Sequence, residues 1–277
     1  MNDLSIEPIT PSVGAEIRGV DLATQLGDPN VVSILEQAFL DHHVLVFRDQ
    51  ELTRSQHKDF GRLFGPLHVH PTQRGADYEG DREIFPIEAD ETTVLNNGGL
   101  WHSDVSCDAV PPLGSMLLLK EAPAQGGDTL FANMHLAYES LSEPIREMID
   151  GLDALHDRRQ DLSHYGLEPR LGIDYPASVH PIVVTHPETG RRLLFVNPAF
   201  TTKINGLSSR ESDAILRMLY DHTANNPSIQ CRVRWEPGTL TFWDNRCVQH
   251  YAVWDYRPQR RIGERVTIAS DVAPSRG

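Results

Sequence analysis

Two short runs far apart, Trp101-His102-Ser103-Asp104 and Trp243-Asp244-Asn245-Arg246-Cys247-Val248-Gln249-His250, constrain this chain more than any other feature. In an extended strand, side chains two apart point to the same side, so His102 and Asp104 are expected to face one cavity while Ser103 turns away. A third donor of the same kind, His250, lies far downstream, and it reaches that point only in a fold that brings distant strands together. Two imidazoles and one carboxylate on one face of an Fe(II) ion leave open positions for a bidentate co-substrate and for O2. A lone His-x-Asp is common on surface strands, and His250 alone could be a satisfied core histidine. Taken together, the two runs point to a metal.

The pattern between these runs supports a β architecture. Ile6, Ile9, Ile17 and Val20 among turn formers read as short strands, with Gly14 and Gly19 as turns. From Pro29, capped by Asp28, the residues Val31, Ile34, Leu35, Ala38 and Phe39 recur at helical spacing. Val44 to Phe47 is a continuous apolar run and reads as a buried strand. Thr53 with Gln56 forms a capping box for a helix that Gly65-Pro66 ends, and Ser208 with Glu211 opens another carrying Ile215, Leu216, Leu219 and Tyr220. Ser142-Glu143-Pro144 begins a further helix with Gly151 as its stop. Further strands are expected at Ser115 to Leu119, in a hairpin over Pro181 to Val196, and near Cys231 to Trp235, Leu240 to Trp243 and Arg261 to Ala269. Residues 68 to 100 read as a long polar loop of the kind that serves as a lid, and residues 157 to 180 as a second mobile segment. There is no βαβ alternation. The expected fold is mainly β with flanking α-helices, a double-stranded β-helix (jelly-roll, cupin-like barrel) forming a single domain over residues 1–277.

Composition removes several functions. With 39% hydrophobic residues the chain can bury a sizeable core, while a net charge of −14 repels phosphate backbones and anionic lipid. No nucleic-acid or membrane partner is expected, and a small anionic substrate needs a local basic site. The start has no charged segment followed by an apolar run, and the three cysteines fit neither a disulfide framework nor zinc spacing. A reducing cytoplasm is the expected location.

With Trp101-His102-Ser103-Asp104-Val105, Gly126-Gly127-Asp128-Thr129-Leu130, the stretch from Trp243 to Ala252 and Pro258-Gln259-Arg260-Arg261, the chain resembles the taurine dioxygenase branch of the Fe(II)/2-oxoglutarate-dependent dioxygenases. The similarity runs nearly end to end. It implies that His102, Asp104 and His250 hold Fe(II), that Arg261 clamps the far carboxylate of 2-oxoglutarate with Thr129 as its hydroxyl partner, and that O2 is the second co-substrate. It further implies substrate contacts from His70, Phe200 and Arg265, and from Asn97 near the position of a family asparagine. Turnover of taurine or a related alkylsulfonate to sulfite and an aldehyde follows, by a homo-oligomer (dimer or tetramer). The chain departs from the taurine pattern at Gln73, Gly98 and Arg158, which keeps alkyl sulfates and carboxylates such as aryloxyalkanoates open as substrates.

The residues themselves also speak for Arg261. If Arg261 to Thr267 is a strand, Arg261, Gly263, Arg265 and Thr267 share a face, so two guanidinium groups flank a residue with no side chain, which leaves room for a ligand. A guanidinium fork matches a carboxylate and stays charged when desolvated. The rival reading for Arg257 and Arg260 is a solvated basic run, and it is the simpler one there. Two rival classes remain: a zinc hydrolase on the same trio or on His68 and His70, and a barrel that binds a small molecule without chemistry. Neither gives Arg261 a task.

Overall fold

The computed structural model describes residues 4–70, 73, 79–95, 98–170, 172 and 174–277. Its strands are β1 (Ser5–Pro8), β2 (Ala15–Arg18), β3 (Val44–Phe47), β4 (Phe85–Ala89), β5 (Gly114–Glu121), β6 (Thr129–Asn133), β7 (Asp153–Asp157), β8 (Ala177–Pro181), β9 (Val183–Thr185), β10 (Arg192–Leu194), β11 (Thr201–Ile204), β12 (Gln230–Val233), β13 (Leu240–Asp244), β14 (Val248–Ala252) and β15 (Arg261–Ile268). The helices are α1 (Pro29–His42), α2 (Arg54–Arg62), α3 (Met134–Glu139), α4 (Glu143–Ile149), α5 (Arg158–His164) and α6 (Ser209–Ala224).

One large sheet has the order β1-β2-β3-β13-β5-β15-β4, and a smaller one the order β12-β6-β14. A second three-stranded sheet, β11-β7-β8, and the pair β10-β9 complete the set, which among the described residues stays as separate sheets and does not close into one hydrogen-bonded barrel. Strand β3 explains how the layers form. Its Leu45 and Phe47 pack with Phe39 of α1, Phe60 of α2 and with Met116, Leu118 and Phe242, while Val44 and Val46 face the opposite way toward Leu117, Phe131, Trp243 and Val248. Phe39 and Phe242 stack at 3.9 Å and tie α1 to the sheet. A strand covered on both faces reads as a continuous apolar run, as Val44 to Phe47 does.

The helix signals hold at three starts. Asp28 accepts from the Asn30 amide, and both capping boxes form, at Thr53 with Gln56 and at Ser208 with Glu211. Ser142 stands at the start of α4 but makes no capping bond. Residues 157–180 are not the featureless segment the sequence suggests, since they hold α5 and β8, with the Asp157 side chain accepting from the Arg159 amide. Seven residues are too few for an apolar period to repeat, and the six-residue α3 escapes detection for the same reason. Among the described residues no helix is long and apolar enough to cross a membrane.

The Trp101 to Asp104 run is not a strand. His102 forms an isolated bridge with His250, and the chain then turns through Asp104 to Val105, which lies in the left-handed region at φ 49°. The cause is Asn245: its Oδ1 accepts from the Asp104 amide at 2.6 Å and its Nδ2 donates to the Asp104 carbonyl at 3.0 Å. With both backbone groups of Asp104 taken by a side chain, no ladder can continue.

Gly263 also differs from its expected role. The ladder between β15 and β5 shifts register between Ile262 and Gly263, and a Cβ at Gly263 would come within 2.7 Å of the Leu118 carbonyl oxygen. Its missing side chain admits the β5 backbone and is not ligand space. Gly263→Ala is therefore expected to destabilise the fold by roughly 1–3 kcal/mol, as overpacking does, whereas Gly151→Ala, where nothing lies within 4 Å, is expected to be nearly neutral. Paired denaturant melts check this, and equal midpoints for the two variants would contradict it.

Candidate metal and anion site

The bridge between His102 and His250 brings the two halves of the chain to one point. The His102 amide donates to the His250 carbonyl at 3.0 Å and the His250 amide donates to the His102 carbonyl at 2.8 Å, so the rings lie side by side with centroids 4.0 Å apart. The turn then swings Asp104 under them, with its Oδ1 at 3.8 Å from His102 Nε2 and 4.0 Å from His250 Nε2. His102 Nδ1 lies 2.7 Å from the Leu100 carbonyl oxygen, which can only accept, so Nδ1 carries the proton and Nε2 keeps its lone pair. Burial pushes the His250 imidazole well below its ordinary pKa, with His102 adding to the effect, so it is a neutral donor. Burial opposes ionisation of Asp104, yet its carboxyl is held well below the usual range, first by the Arg265 guanidinium and also by the hydrogen bond from Ser115. Two ring nitrogens and an ionised carboxylate, all within 4.8 Å of one another, fit a divalent cation of the Fe(II) type.

These three residues line a cavity of about 360 Å³ between the large sheet and the β12-β6-β14 sheet, and Thr129, Arg261, Arg265, His70 and Phe200 line it too. Arg261 is 6% exposed, and among the described residues no carboxylate oxygen lies within 4 Å of its guanidinium and its Nε has no hydrogen-bond partner. It lies over the Trp235 ring, 5.5 Å from the centroid. Trp235 Nε1 donates to Thr129 Oγ1 at 2.9 Å, which leaves the Thr129 hydroxyl proton for a ligand. Burial draws the Arg261 pKa down from its usual value. A buried guanidinium without a counter-charge is costly, so this corner is built for an anion.

The opposite wall differs from expectation in its details. Arg265 already donates from Nη1 to Asp104 Oδ1 at 2.8 Å and lies over Phe85, while its buried Nε is unpartnered. His70 lies 4.5 Å from the Phe85 ring, and burial together with Arg265 and Arg158 pushes it down to about 3, so it is neutral. Phe200 forms a wall with the Arg158 guanidinium 5.8 Å from its ring, and Arg158 pairs with Asp161 at 2.8 Å. Gln73 does not line the cavity, since its amide donates to the Ile84 carbonyl at 2.7 Å. Gly98 does, in a left-handed conformation (φ 90°) where a Cβ would press on His102 Cε1 at 3.3 Å. Asn97 lies outside the described residues. His68 and His70 belong to no candidate metal cluster among the described residues.

Several supporting residues went unassigned in the sequence. Ser115 Oγ donates to Asp104 Oδ2 at 2.8 Å, Asn245 fixes the Asp104 turn, and Asp161 and Tyr165 close the cavity from α5 and its end. The Trp-Asp-Asn-Arg run held the signal for Asn245, because a buried amide beside a turn takes backbone groups; nothing marked Ser115 or Asp161.

Comparison with known proteins agrees with this geometry. An alpha-ketoglutarate-dependent sulfate ester dioxygenase of Pseudomonas putida is 35% identical, covering 98% of this chain and 91% of that protein. A (S)-phenoxypropionate/alpha-ketoglutarate-dioxygenase of Sphingobium herbicidovorans is 34% identical, over 97% of this chain and 96% of the relative. The crystal structure of a taurine dioxygenase from Burkholderia xenovorans superposes with a TM-score of 0.82 at 36% identity, over 98% of this chain and 90% of that one. Residues 5–267 match the family described as "Taurine catabolism dioxygenase TauD, TfdA family", and the chain belongs to that family of 2-oxoglutarate-dependent dioxygenases.

Proposed function

We propose that this protein is an Fe(II)- and 2-oxoglutarate-dependent dioxygenase that hydroxylates a small substrate with an anionic group, in first place taurine or a related alkylsulfonate, with release of sulfite and an aldehyde. The observation that carries this reading is Arg261, buried with no counter-ion among the described residues, in the same cavity as the His102, Asp104 and His250 trio. The charge balance agrees. Arg158, Arg261 and Arg265 against Asp104 and Asp161 leave the cavity one positive charge, and a ferrous ion adds two. The 2-oxoglutarate dianion and the single negative charge of an alkylsulfonate or alkyl sulfate cancel these in full; taurine also carries an ammonium group, so with it one positive charge remains.

A ferrous ion held by the trio would supply O2 activation coupled to decarboxylation of 2-oxoglutarate to succinate and CO2. The chain's own task is placement. Arg261 and Thr129 hold the far carboxylate, which directs the keto-acid end toward the trio. Arg265, Arg158 and neutral His70 form a positively charged wall for the substrate anion, and Phe200 packs its carbon skeleton. Hydroxylation of the carbon that bears sulfur gives an α-hydroxysulfonate, whose C–S bond breaks to yield aldehyde and sulfite.

A second reading, an alkyl sulfate or aryloxyalkanoate substrate with the same chemistry, draws support from Arg158 in the cavity, from Gln73 outside it and from the names of the two relatives above. A zinc hydrolase on the same trio leaves Arg261 without a role. The facing sheets read as the two halves of a jelly-roll, supported by the apolar cluster between them, and the two clusters sharing one large sheet support a single domain. Three buried, unpaired cysteines support a cytoplasmic site of action.

Arg261→Gln should raise the KM for 2-oxoglutarate roughly 30-fold or more, from a loss of at least ~2 kcal/mol when one partner of a buried charge pair is removed, with little change in the KM for substrate. An unchanged KM for 2-oxoglutarate in steady-state assays would sink the clamp assignment. Chelation should abolish turnover, and Fe(II) but not Zn(II) should restore it; zinc-restored activity indifferent to 2-oxoglutarate would favour the hydrolase. In a panel of taurine, other sulfonates, alkyl sulfates and aryloxyalkanoates, sulfite is expected from a sulfonate. Turnover confined to the sulfates or aryloxyalkanoates would move the substrate to the second reading.

A further inference from the structure

A second cluster of donors lies outside the cavity, where the end of α1, the start of α3 and the turn between β13 and β14 meet. His43 follows α1 as its left-handed cap (φ 63°), His135 is the second residue of α3, and Cys247 immediately precedes β14. Their exposures are 2%, 0% and 0%. One ring nitrogen from each histidine and the Cys247 sulfur lie within 4.8 Å of one another, the same compactness that the cavity trio meets.

Two features separate this cluster from ordinary packing. Among the described residues, Nδ1 of His43 and Nε2 of His135 have no hydrogen-bond partner, although an unsatisfied buried polar atom costs about 1–3 kcal/mol. His135 Nδ1 donates to the Arg192 carbonyl at 2.9 Å, so its Nε2 is the nitrogen with the free lone pair. Burial holds His43 down to about 3 and His135 to about 4, which keeps both rings neutral. Neighbouring His186 shows the contrast. Its Nε2 donates to Asp244 Oδ2 at 3.1 Å and its Nδ1 accepts from the amides of Glu188 and Thr189, so it is satisfied without an ion.

We propose that His43, His135 and Cys247 form a second, structural metal site that takes a thiophilic cation of the zinc class. A thiolate and two imidazoles are the sulfur and nitrogen donors such ions prefer, while the cavity trio offers no sulfur. Binding exchanges the thiol proton for the ion, with one proton released per metal. The Asp244 carboxylate, within 4.8 Å of Cys247, lies close enough to offset part of the added charge. The ion would tie the ends of α1 and α3 to the turn that leads into β14, and β14 carries His250.

Cobalt(II) titration of the chelator-stripped full chain tests this. Two ions per chain are expected, one of them giving a near-ultraviolet thiolate-to-cobalt charge-transfer band that the sulfur-free cavity trio cannot produce. Cys247→Ser should remove that band and one equivalent of cobalt while the other equivalent stays. The double variant His102→Ala/His250→Ala should keep the band, and zinc should raise its melting temperature. If the serine variant does not fold, His135→Gln serves with the same readouts. A single cobalt per chain without the band, or a band that survives the loss of Cys247, overturns the proposal.

Discussion

Two reciprocal backbone hydrogen bonds between His102 and His250 are what the rest of the site depends on. They are the shortest possible β-ladder, and they join two stretches far apart in the chain that Asn245 and Ser103 also tie together through side-chain hydrogen bonds. Each bond alone contributes about 0.5–1.5 kcal/mol, yet together they fix the relative position of two rings to within a ring width. Everything else converges on that pair. Asn245 bends the chain so that Asp104 comes beneath it, Ser115 and Arg265 hold the two carboxylate oxygens, and Leu100 sets the tautomer of His102.

An acidic chain that binds anions must concentrate its positive charge where water is excluded. The net charge of −14 is spread over the surface, whereas three arginines gather in one cavity. They are not equivalent there. Arg158 and Arg265 are partnered by Asp161 and Asp104, while Arg261 lies over the face of Trp235 with no carboxylate partner among the described residues, and the Thr129 hydroxyl is tethered to the indole beside it. That inequality separates the places: on the proposed reading, the uncompensated guanidinium suits the far carboxylate of 2-oxoglutarate, and the two paired arginines suit the anionic group of the substrate.

Much of this was legible in residue order alone. The donor trio, Arg261, Thr129 and Arg265 all line one cavity, Thr129 and Arg265 as the family resemblance implies, because β14 pairs with β6 in one sheet while β15 lies beside β5 in the facing one. Long-period helices and capping boxes were equally plain. What the sequence hid was short or side-chain-driven: α3 and α5 are too brief to show a period, and the Asp104 turn is imposed by a residue far away in the chain. Gly263 was visible as an absence of side chain, but only the position of the Leu118 carbonyl tells that the absence serves the neighbouring strand. The departures at Gln73 and Gly98 likewise became intelligible through contacts, one with the Ile84 carbonyl and the other with His102.

Arg265 links the two halves of the cavity. One of its guanidinium nitrogens is committed to the same Asp104 oxygen that faces both imidazoles, and its Nε remains without a partner. An anion that settles against this arginine therefore competes for a group that also sets the charge and direction of a metal donor. Coulomb attraction at such distances is several-fold stronger in a buried site than in water, so the competition is felt at Oδ1 and not screened away. On the proposed function, one side chain answers both to the substrate anion and to Asp104, and its place over Phe85, whose ring also lies against His70, limits how far it can move in doing so.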